Sequence, residues 1–377
     1  MAGAGNNKLE SRPEETSKTR KPRLAIVGPR IRALPGDPKF TDMADALAQT
    51  GFEAWHEQIS GMDDFVSLLD RRAPDLVFCS FFKVPRESSE VGYLEDAAIE
   101  RGIGWIGSQA KVLELALSKP MMKRHWRQHG IATPDWFTLR PTRGGDLEGE
   151  GELQYARSFP YIVKPANEGN SRGIDDSSVV RNTEELRRKV SAVAERYGEV
   201  LVESFVAGAH DSREFTAAMI GGGPESIVAA VEIRKGSSKA LVISNDLKKN
   251  GRTELAPIAD PQLRERVESM ARLVFATSGA KDYARCDILL HEGRLYAIEM
   301  NGQPMVPDPW FERCANTVGL DRRQYLLAIV LAGLVENSRS GHALIPIPPA
   351  MKDAIPPAVF ERLTRQRNHG TPHHWHG

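Results

Sequence analysis

The sequence predicts an α/β protein of several lobes, in which a parallel α/β lobe comes first and lobes of α+β character follow. Three features indicate this class. Apolar strands alternate with helical segments over residues 23–118, alternating strands dominate after residue 208, and a chain of 377 residues is long enough for two or three lobes. We therefore expect an N-terminal parallel sheet and further mixed sheets behind it.

The first lobe is predicted from apolar runs that end in turn residues. Residues 23–27, 51–55 and 75–79 have the pattern of strands, and residues 41–50 have the pattern of a helix. Strands that alternate with helices favour a parallel sheet. A dinucleotide-binding lobe is excluded, because Gly28-Pro29-Arg30 follows the first strand where that class needs G-x-G-x-x-G.

The remaining elements divide the chain into further lobes. Ser118-Lys119-Pro120 opens a second lobe, and Gly130 with Thr133-Pro134 ends its first helix. Apolar patterns predict helices over 94–101, from 111, and over 119–129, 183–197, 262–278 and 323–335. They predict strands over 103–106, 136–139, 161–164 and 200–203. Residues 141–152 are predicted to form a loop. The predicted division is a disordered tail (1–22), an N-terminal α/β domain (23–118), a central domain (119–207), a C-terminal domain (208–338) and an irregular tail (339–377).

Composition limits the compartment and the kinds of partner. Fifty basic residues balance fifty acidic ones, so no net charge draws the molecule to nucleic acid or to an anionic membrane. Cys79, Cys286 and Cys314 lack C-x-x-C spacing, which indicates reduced thiols and a cytoplasmic location. Residues 1–21 lack the apolar run of a signal peptide, and the longest apolar stretch, 325–335, is too short to cross a bilayer. We expect neither a nucleic-acid nor a membrane partner.

A hairpin over residues 283–301 places acidic side chains on one face. Arg285 and Asp287 lie two residues apart in its first strand. Glu299 and Asn301 lie two residues apart in its second strand, so the four side chains are expected to be cross-strand neighbours. Oxygen ligands beside a guanidinium suit Mg²⁺ that bridges nucleotide phosphates. A solvated hairpin with an acidic outer face is the alternative.

A second group of residues suits nucleotide phosphates. Lys164 ends an apolar strand, and a loop that contains Glu168 and Ser171 among glycines follows it. Glycines let backbone N–H groups converge on an anion, and the lysine adds a point charge. Pro165 excludes Walker A geometry, so we expect the loop to cover the nucleotide from above. A surface turn between strands is the alternative.

The strand over residues 200–206 is expected to contact adenosine. Backbone groups of Ser204 and Val206 can bond the purine edge, and Glu203 can accept from the exocyclic amine. Glu214 would then meet the ribose hydroxyls. An edge-strand carboxylate is the alternative for Glu203.

These pieces, in this order, resemble the ATP-grasp superfamily and, more narrowly, its D-alanine–D-alanine ligase-like branch. The resemblance implies an ATP-grasp fold behind an N-terminal pre-ATP-grasp domain, and it covers residues 91–334. It rests on Ser118-Lys119, on the helix-Gly-Ile-x-Thr-Pro element over 124–134, and on the segments 162–169, 202–206, 213–216, 283–287 and 298–301.

The resemblance also implies an activity and roles for residues. The activity is ATP-dependent joining of a small-molecule carboxylate to an amine through an acylphosphate, with release of ADP and phosphate. Homodimerisation follows by analogy, and Mn²⁺ can substitute for Mg²⁺. The implied roles are Lys119 and Lys164 at the nucleotide phosphates, Glu203 and Glu214 at the adenosine, Asp287, Glu299 and Asn301 at two Mg²⁺ ions, and Arg285 at the oxyanion of the tetrahedral intermediate.

Departures from the family indicate a different substrate. Residues 27–32 replace the Gly-Gly-x-Ser-x-Glu motif that recognises the first amino acid, and residues 80–88 replace the His-Gly and Gly-Glu-Asp-Gly signature. A basic segment with glycines, 234–252, replaces the aromatic-rich mobile loop and is a candidate lid. Residues 302–311 replace the serine-bearing loop for the acceptor carboxylate, and their Trp310-Phe311 pair indicates a bulkier acceptor.

We therefore expect substrates other than D-alanine. Two further functions stay open: a phosphotransferase that stops at the phosphorylated product, and a nucleotide-binding regulator that has lost catalysis. The regulator is disfavoured by the joint presence of Lys164, Arg285, Asp287, Glu299 and Asn301. Dependence on an amine separates the ligase from the kinase.

Overall fold

The structure is a computed structural model, and its described part is a mixed α/β fold with one parallel sheet and two larger antiparallel sheets. This confirms the predicted fold class. None of the helices in this part has both the length and the apolar run to cross a membrane. The described residues are 20–30, 38–79, 81–85, 91–141, 147–150, 159–169, 171–206, 212–235, 240–243 and 253–365.

The N-terminal lobe surrounds the parallel sheet. Its elements are β1 (Arg23–Pro29), α1 (Pro38–Ala48), β2 (Glu53–Ile59), α2 (Met62–Arg72), β3 (Leu76–Cys79), β4 (Lys83–Pro85), β5 (Val91–Tyr93), α3 (Leu94–Ile99), β6 (Gly104–Ile106) and α4 (Ala110–Leu117). The strand order is β2-β1-β3-β6, and β4 pairs with β5 in a separate ribbon. β1 lies inside the sheet because residues 24–27 are apolar and at most 1% exposed, as a strand covered on both faces requires. The predicted parallel pairing is confirmed.

The central lobe is an antiparallel sheet that carries a helix on one face. Its elements are α5 (Lys119–Gln128), β7 (Trp136–Pro141), β8 (Leu147–Glu150), β9 (Tyr161–Pro165), β10 (Val179–Val180), α6 (Thr183–Tyr197) and β11 (Val200–Ser204). The strand order is β10-β9-β11-β7-β8. β8 lies within residues 141–152, where we expected only a loop; this prediction was wrong because the segment pairs with β7 as an outer strand.

The C-terminal lobe is a second antiparallel sheet, and it carries the predicted hairpin. Its elements are β12 (Arg213–Ile220), β13 (Ile227–Arg234), β14 (Glu254–Pro257), α7 (Pro261–Ser278), β15 (Tyr283–His291), β16 (Arg294–Asn301), α8 (Pro309–Asn316), α9 (Arg322–Ser340), α10 (Pro349–Ala354) and α11 (Pro357–Thr364). The strand order is β14-β13-β12-β15-β16. Val267, Ala271 and Phe275 of α7 pack against this sheet in one apolar cluster.

Both predicted tails need correction. The irregular tail over 339–377 contains α10 and α11, because Met351, Ile355 and Leu363 are buried in the same core as α9. At the other end, Arg20 forms an ion pair with Asp75 at 2.7 Å, so this part of the predicted disordered tail (1–22) contacts the N-terminal lobe. Residues 1–19 and 366–377 lie outside the described residues.

Helix α9 joins the C-terminal lobe to the edge of the parallel sheet. Its residues 325–334 are all buried. A Cβ at Gly333 would lie 2.7 Å from Cγ1 of Ile106, so only glycine allows this approach to β6. The Asn337 side chain accepts from the Trp105 N–H at 3.1 Å and donates to the Trp105 carbonyl at 2.8 Å. The Asn337 amide therefore pairs with the N–H and carbonyl groups of β6 at the edge of the sheet, as a further strand would.

A buried carboxylate, Asp282, lies at the same junction. It is 2% exposed, and it accepts a hydrogen bond from the Gly107 N–H at 2.8 Å. Burial raises the pKa of Asp282 to about 7, and the nearby Glu336 and Glu95 act in the same direction. Ionisation of Asp282 at or above neutral pH therefore lowers the stability of the folded protein.

We expect Asp282→Asn to raise the melting temperature by a few degrees at pH 8 and to raise it clearly less at pH 5. The pKa is raised from 3.8 to about 7, so the unfolded state loses this proton while the folded state keeps it, and stability falls as the pH rises across that interval. Asparagine is neutral, can accept the same hydrogen bond, and tolerates the positive φ of 57°. Calorimetry at both pH values measures the effect.

The control is Asp353→Asn, which changes an exposed aspartate on α10 and should show no such pH dependence. A melting temperature lowered equally at both pH values would contradict the prediction, because it would indicate lost packing and not a removed charge.

Candidate functional site

The hairpin of β15 and β16 has the predicted arrangement. Arg285 lies opposite Asn301, and Asp287 lies opposite Glu299. Cys286 lies on the other face and is 1% exposed, as expected for a core residue. The register shifts after Asp287, and the pairing resumes with Ile288 opposite Ala297, so the carboxylates lie next to an irregularity in the hairpin.

Arg285 is held by a residue of the neighbouring strand that the sequence reasoning missed. Its Nη1 donates to Oδ1 of Asp287 at 2.6 Å and to Oγ1 of Thr216 at 2.7 Å. Thr216 lies opposite Asp287 in β12 and also donates to Oδ1 of Asp287 at 2.8 Å. Burial alone would lower the pKa of Arg285, but the nearby carboxylates, with Asp287 foremost, outweigh it and raise this pKa.

Lys119 connects the central lobe to the hairpin. It is 7% exposed, and its Nζ lies 3.9 Å from Oε1 of Glu299. The same Nζ donates to the backbone carbonyl of Glu168, and the Lys119 N–H donates to the carbonyl of Ala166 at 3.0 Å. The first turn of α5, the loop after β9 and the end of β16 therefore meet at one point.

A buried cluster of two lysines and one glutamate lies beside this point. Lys164 donates to Oε1 of Glu203 at 2.7 Å, and the Nζ of Lys123 lies 2.5 Å from Oε2 of the same carboxylate. Lys123 also donates to Oγ1 of Thr133 at 2.6 Å and is 1% exposed. The sequence reasoning missed Lys123. Its spacing of one helical turn from Lys119 could have indicated it.

Glu203 is not the edge-strand carboxylate that was the alternative interpretation. β11 lies between β9 and β7, and Glu203 is 3% exposed. Burial would raise the pKa of Glu203, but the two ammonium groups outweigh it and hold this pKa below its usual range. Burial lowers the pKa of Lys123 to about 8, against the attraction of Glu203. The cluster is therefore charged at neutral pH, and its one carboxylate compensates only part of the charge of the two ammonium groups.

Most of the predicted site residues line one cavity between the central and C-terminal lobes. Trp310 lines the same cavity. Glu168, Arg285 and Asn301 are next to it without lining it: the Glu168 carboxylate pairs with Arg172 at 3.2 Å, and Asn301 accepts from the Gln303 N–H at 3.1 Å. The predicted residues that line the cavity are Lys119, Lys164, Ser171, Glu203, Ser204, Val206, Glu214, Asp287 and Glu299.

One detail of the predicted adenosine site needs correction. The Ser204 N–H donates to the carbonyl of Asp135 at 2.8 Å, so it is not available to a purine edge. Glu214, which we expected to meet ribose, forms an ion pair with Lys235 at 3.1 Å. A ligand at Glu214 would therefore share this carboxylate with a lysine.

Six residues of the candidate lid are described, 234, 235 and 240–243, and residues 241–243 lie against the central lobe. The Asp176 carboxylate accepts from the N–H groups of Leu241 and Val242 at 2.9 and 3.2 Å. Ser171 donates to the Ile243 carbonyl at 3.1 Å. Leu241, Val242 and Ile243 thus form part of the cavity wall, while 236–239 and 244–252 lie outside the described residues.

The two aromatic residues after the hairpin lie in different surroundings: Trp310 lines the cavity, and Phe311 lies in the core. The Trp310 ring centre lies 5.4 Å from Cζ of Arg285. Phe311 is 0% exposed and packs with Tyr283 and Tyr325. The expectation that Phe311 contributes to an acceptor pocket was wrong, because successive residues at the start of a helix face different directions.

A double-mutant cycle tests the buried cluster without any ligand. We expect Lys123→Met and Glu203→Gln each to lower the free energy of unfolding, since each leaves a buried charge with fewer partners. The double variant should lose less free energy of unfolding than the two single variants lose together, and the difference, which is the coupling energy, should be at least about 1 kcal/mol. Urea denaturation of the four proteins measures it, and costs that add within about 0.5 kcal/mol would contradict a direct interaction.

Comparison with known proteins agrees with this geometry. Two curated relatives are D-alanine–D-alanine ligases: that of Cupriavidus metallidurans is 27% identical over 67% of this chain and 75% of the relative, and that of Nitratidesulfovibrio vulgaris is 27% identical over 78% and 91%. A crystal structure of the D-alanine–D-alanine ligase from Bacillus anthracis complexed with ATP matches with a TM-score of 0.63 at 21% identity, over 85% of this chain and 99% of that one.

The D-Ala:D-Ser ligase from Enterococcus faecalis has the same fold, with a TM-score of 0.62 at 18% identity over 83% of this chain and 100% of that one. The family described as D-ala D-ala ligase C-terminus matches residues 125–331, which is more than half of the chain. The match includes the hairpin, Lys164, Glu203 and the cavity lining other than Lys119. The protein thus belongs to the D-alanine–D-alanine ligase family and has the ATP-grasp fold.

Proposed function

We propose that this protein is an ATP-dependent ligase that joins a carboxylate to an amine through an acylphosphate and releases ADP and phosphate. The observation that carries the proposal is a single cavity with Lys119 and Lys164 on one wall and Asp287 and Glu299 on the other. Opposite charges on facing walls suit a polyphosphate with its cations. The curated relatives are named as ligases of this kind.

The nucleotide is assigned to the wall formed by the central lobe. Lys119 and Lys164 neutralise its phosphates, with the loop of Glu168 and Ser171 over them. Glu203 accepts from the exocyclic amine of adenine, Val206 offers backbone groups to the purine edge, and Glu214 meets the ribose. The solved relative with ATP has the same fold, which supports this assignment.

The hairpin residues fit Mg²⁺. Asp287, Glu299 and Asn301 offer hard oxygen donors, and Mg²⁺ uses one or two carboxylates together with phosphate oxygens. In its contacts with Arg285 and Thr216, Asp287 uses only Oδ1. The described residues contain no group of three His, Cys, Asp or Glu side chains that could hold a metal. Bound Mg²⁺ would offset the charge of the phosphates.

The chemistry needs no covalent intermediate with the protein. The donor carboxylate oxygen attacks the γ-phosphorus as the bond to ADP breaks, which forms an acylphosphate. The amine nitrogen then attacks the acyl carbon, the bond to phosphate breaks, and the nitrogen loses a proton. Arg285 stabilises the oxyanion of the tetrahedral intermediate, which exists after the amine has attacked and before phosphate leaves, because its charge is held in a mostly buried position on the hairpin.

The substrates are proposed to be amino acids or derivatives other than D-alanine. Residues 27–30, 81–85 and 302–311 stand where the family recognises its substrates, and they lack the corresponding motifs. Residues 31–32, 80 and 86–88 of the same segments lie outside the described residues. Robust formation of D-alanyl-D-alanine by the purified protein would refute this part of the proposal.

Product analysis separates the ligase from the kinase and the regulator. Purified protein with Mg-ATP is tested against pairs of carboxylates and amines, and ADP, phosphate and condensed products are measured. A product that requires both partners supports the ligase. A phosphorylated acceptor formed without an amine supports the phosphotransferase, and nucleotide binding without any turnover supports the regulator.

We expect Asp287→Asn to remove most of the turnover, by at least about 100-fold, and to leave the fold intact. The reason is the loss of one anionic ligand for Mg²⁺ beside Arg285. Initial rates of ADP release and a thermal melt measure activity and folding. The control is Glu292→Gln, which removes a charge from the exposed turn of the same hairpin and should leave both unchanged. Near-normal activity of Asp287→Asn would show the metal assignment to be wrong.

A further inference from the structure

Trp310 forms the wall of the cavity beside the residue assigned to the oxyanion. Its ring centre lies 5.4 Å from Cζ of Arg285, and it lines the same cavity as Asp287 and Glu299. On the proposed function, the acyl carbon lies next to Arg285, so the amine that attacks this carbon must pass close to the indole ring. The indole of Trp310 is therefore in a position to influence which amine is accepted as a substrate.

The position of Trp310 is fixed by its neighbours. Asp308 caps α8, and its Oδ1 accepts from the N–H groups of Trp310 and Phe311 at 2.6 and 3.0 Å. Phe311 is 0% exposed, so it anchors the helix in the core. The indole is therefore presented by the first turn of a capped helix, and it offers a preformed flat surface.

The segment that carries Trp310 is poorly suited to an acceptor carboxylate. Residues 302–311 contain no lysine, arginine, histidine, serine, threonine or tyrosine. The Gln303 amide donates to the Cys79 carbonyl at 2.6 Å, so this donor is engaged. Nη1 of Arg285 is engaged by Asp287 and Thr216, and the guanidinium is already assigned to the oxyanion of the reaction. The N–H groups of Trp310 and Phe311 donate to Asp308, so they are not available to a carboxylate either.

The positive charge of Arg285 decides which kind of group can face the indole of Trp310. A cation on Trp310 would lie near the guanidinium of Arg285, whereas an aromatic ring gains contact with the indole without adding charge. We propose, on the basis of the ligase function above, that the acceptor is an amine that carries an aromatic ring and lacks an α-carboxylate. Its ring stacks on Trp310, and its nitrogen faces the acyl carbon.

Calorimetric titration of the protein saturated with Mg²⁺ and a non-hydrolysable ATP analogue tests this inference. The probes are 2-phenylethylamine and its carboxylated counterparts, L- and D-phenylalanine. We expect the amine to bind at least about tenfold more tightly than either amino acid. Trp310→Leu should weaken amine binding by about tenfold, while Trp310→Phe, which keeps a ring, should stay within about threefold of the unchanged protein.

The matched control is Trp55→Leu, which removes another indole that lies against a guanidinium, at 4.6 Å from Cζ of Arg72 in the N-terminal lobe. It should leave amine binding unchanged. A general effect of losing an indole would weaken binding in both variants and overturn the assignment to Trp310.

Two results would overturn the acceptor class while leaving the ligase intact. One is equal or tighter binding of phenylalanine, which would direct attention to Lys39, whose Nζ lies 3.3 Å from Sδ of Met305 in the same segment. The other is absence of binding for both probes while the nucleotide analogue binds. Failure of the analogue itself to bind would overturn the ligase function, and this inference with it.

Discussion

The register of β15 against its two neighbours is the constraint on which the candidate site depends. It sets Asp287 opposite both Thr216 and Glu299, and Arg285 opposite Asn301. Side chains alternate between the faces of a sheet, so a slip of one residue would send Arg285 and Asp287 into the core and bring Cys286 to the cavity. The buried apolar face of the hairpin makes such a slip costly, and in this way packing on one side positions charges on the other.

The charges on the cavity walls are held by compensation within the protein. Glu203 is shared by Lys123 and Lys164, and Asp287 is shared by Arg285 and Thr216. Isolated buried charges would be costly, but paired ones are tolerated and keep fixed positions. Such preorganised charges are what transfer of a phosphoryl group requires, because a polyphosphate then meets groups that need little rearrangement.

Local patterns predicted the elements well wherever periodicity and turn residues agree. The parallel sheet, the hairpin and the inward position of Cys286 followed from two-residue alternation and from apolar runs, and the structure confirms them. β8 was missed because an outer strand rich in glycine and glutamate has no apolar pattern of its own. Helices α10 and α11 were missed because a few buried residues, such as Met351 and Leu363, anchor them to distant parts of the core.

The sequence by itself determined the fold class, the family resemblance and the side chains that the hairpin presents together, since these depend on spacing along one or two strands. Only the tertiary structure showed that Lys123 shares the Glu203 carboxylate, that Thr216 supports Arg285, and that Trp310 faces the cavity while Phe311 faces the core. These contacts join residues from separate elements or depend on how a helix is seated. Local spacing carries no information on such distances, because packing of the whole core sets them.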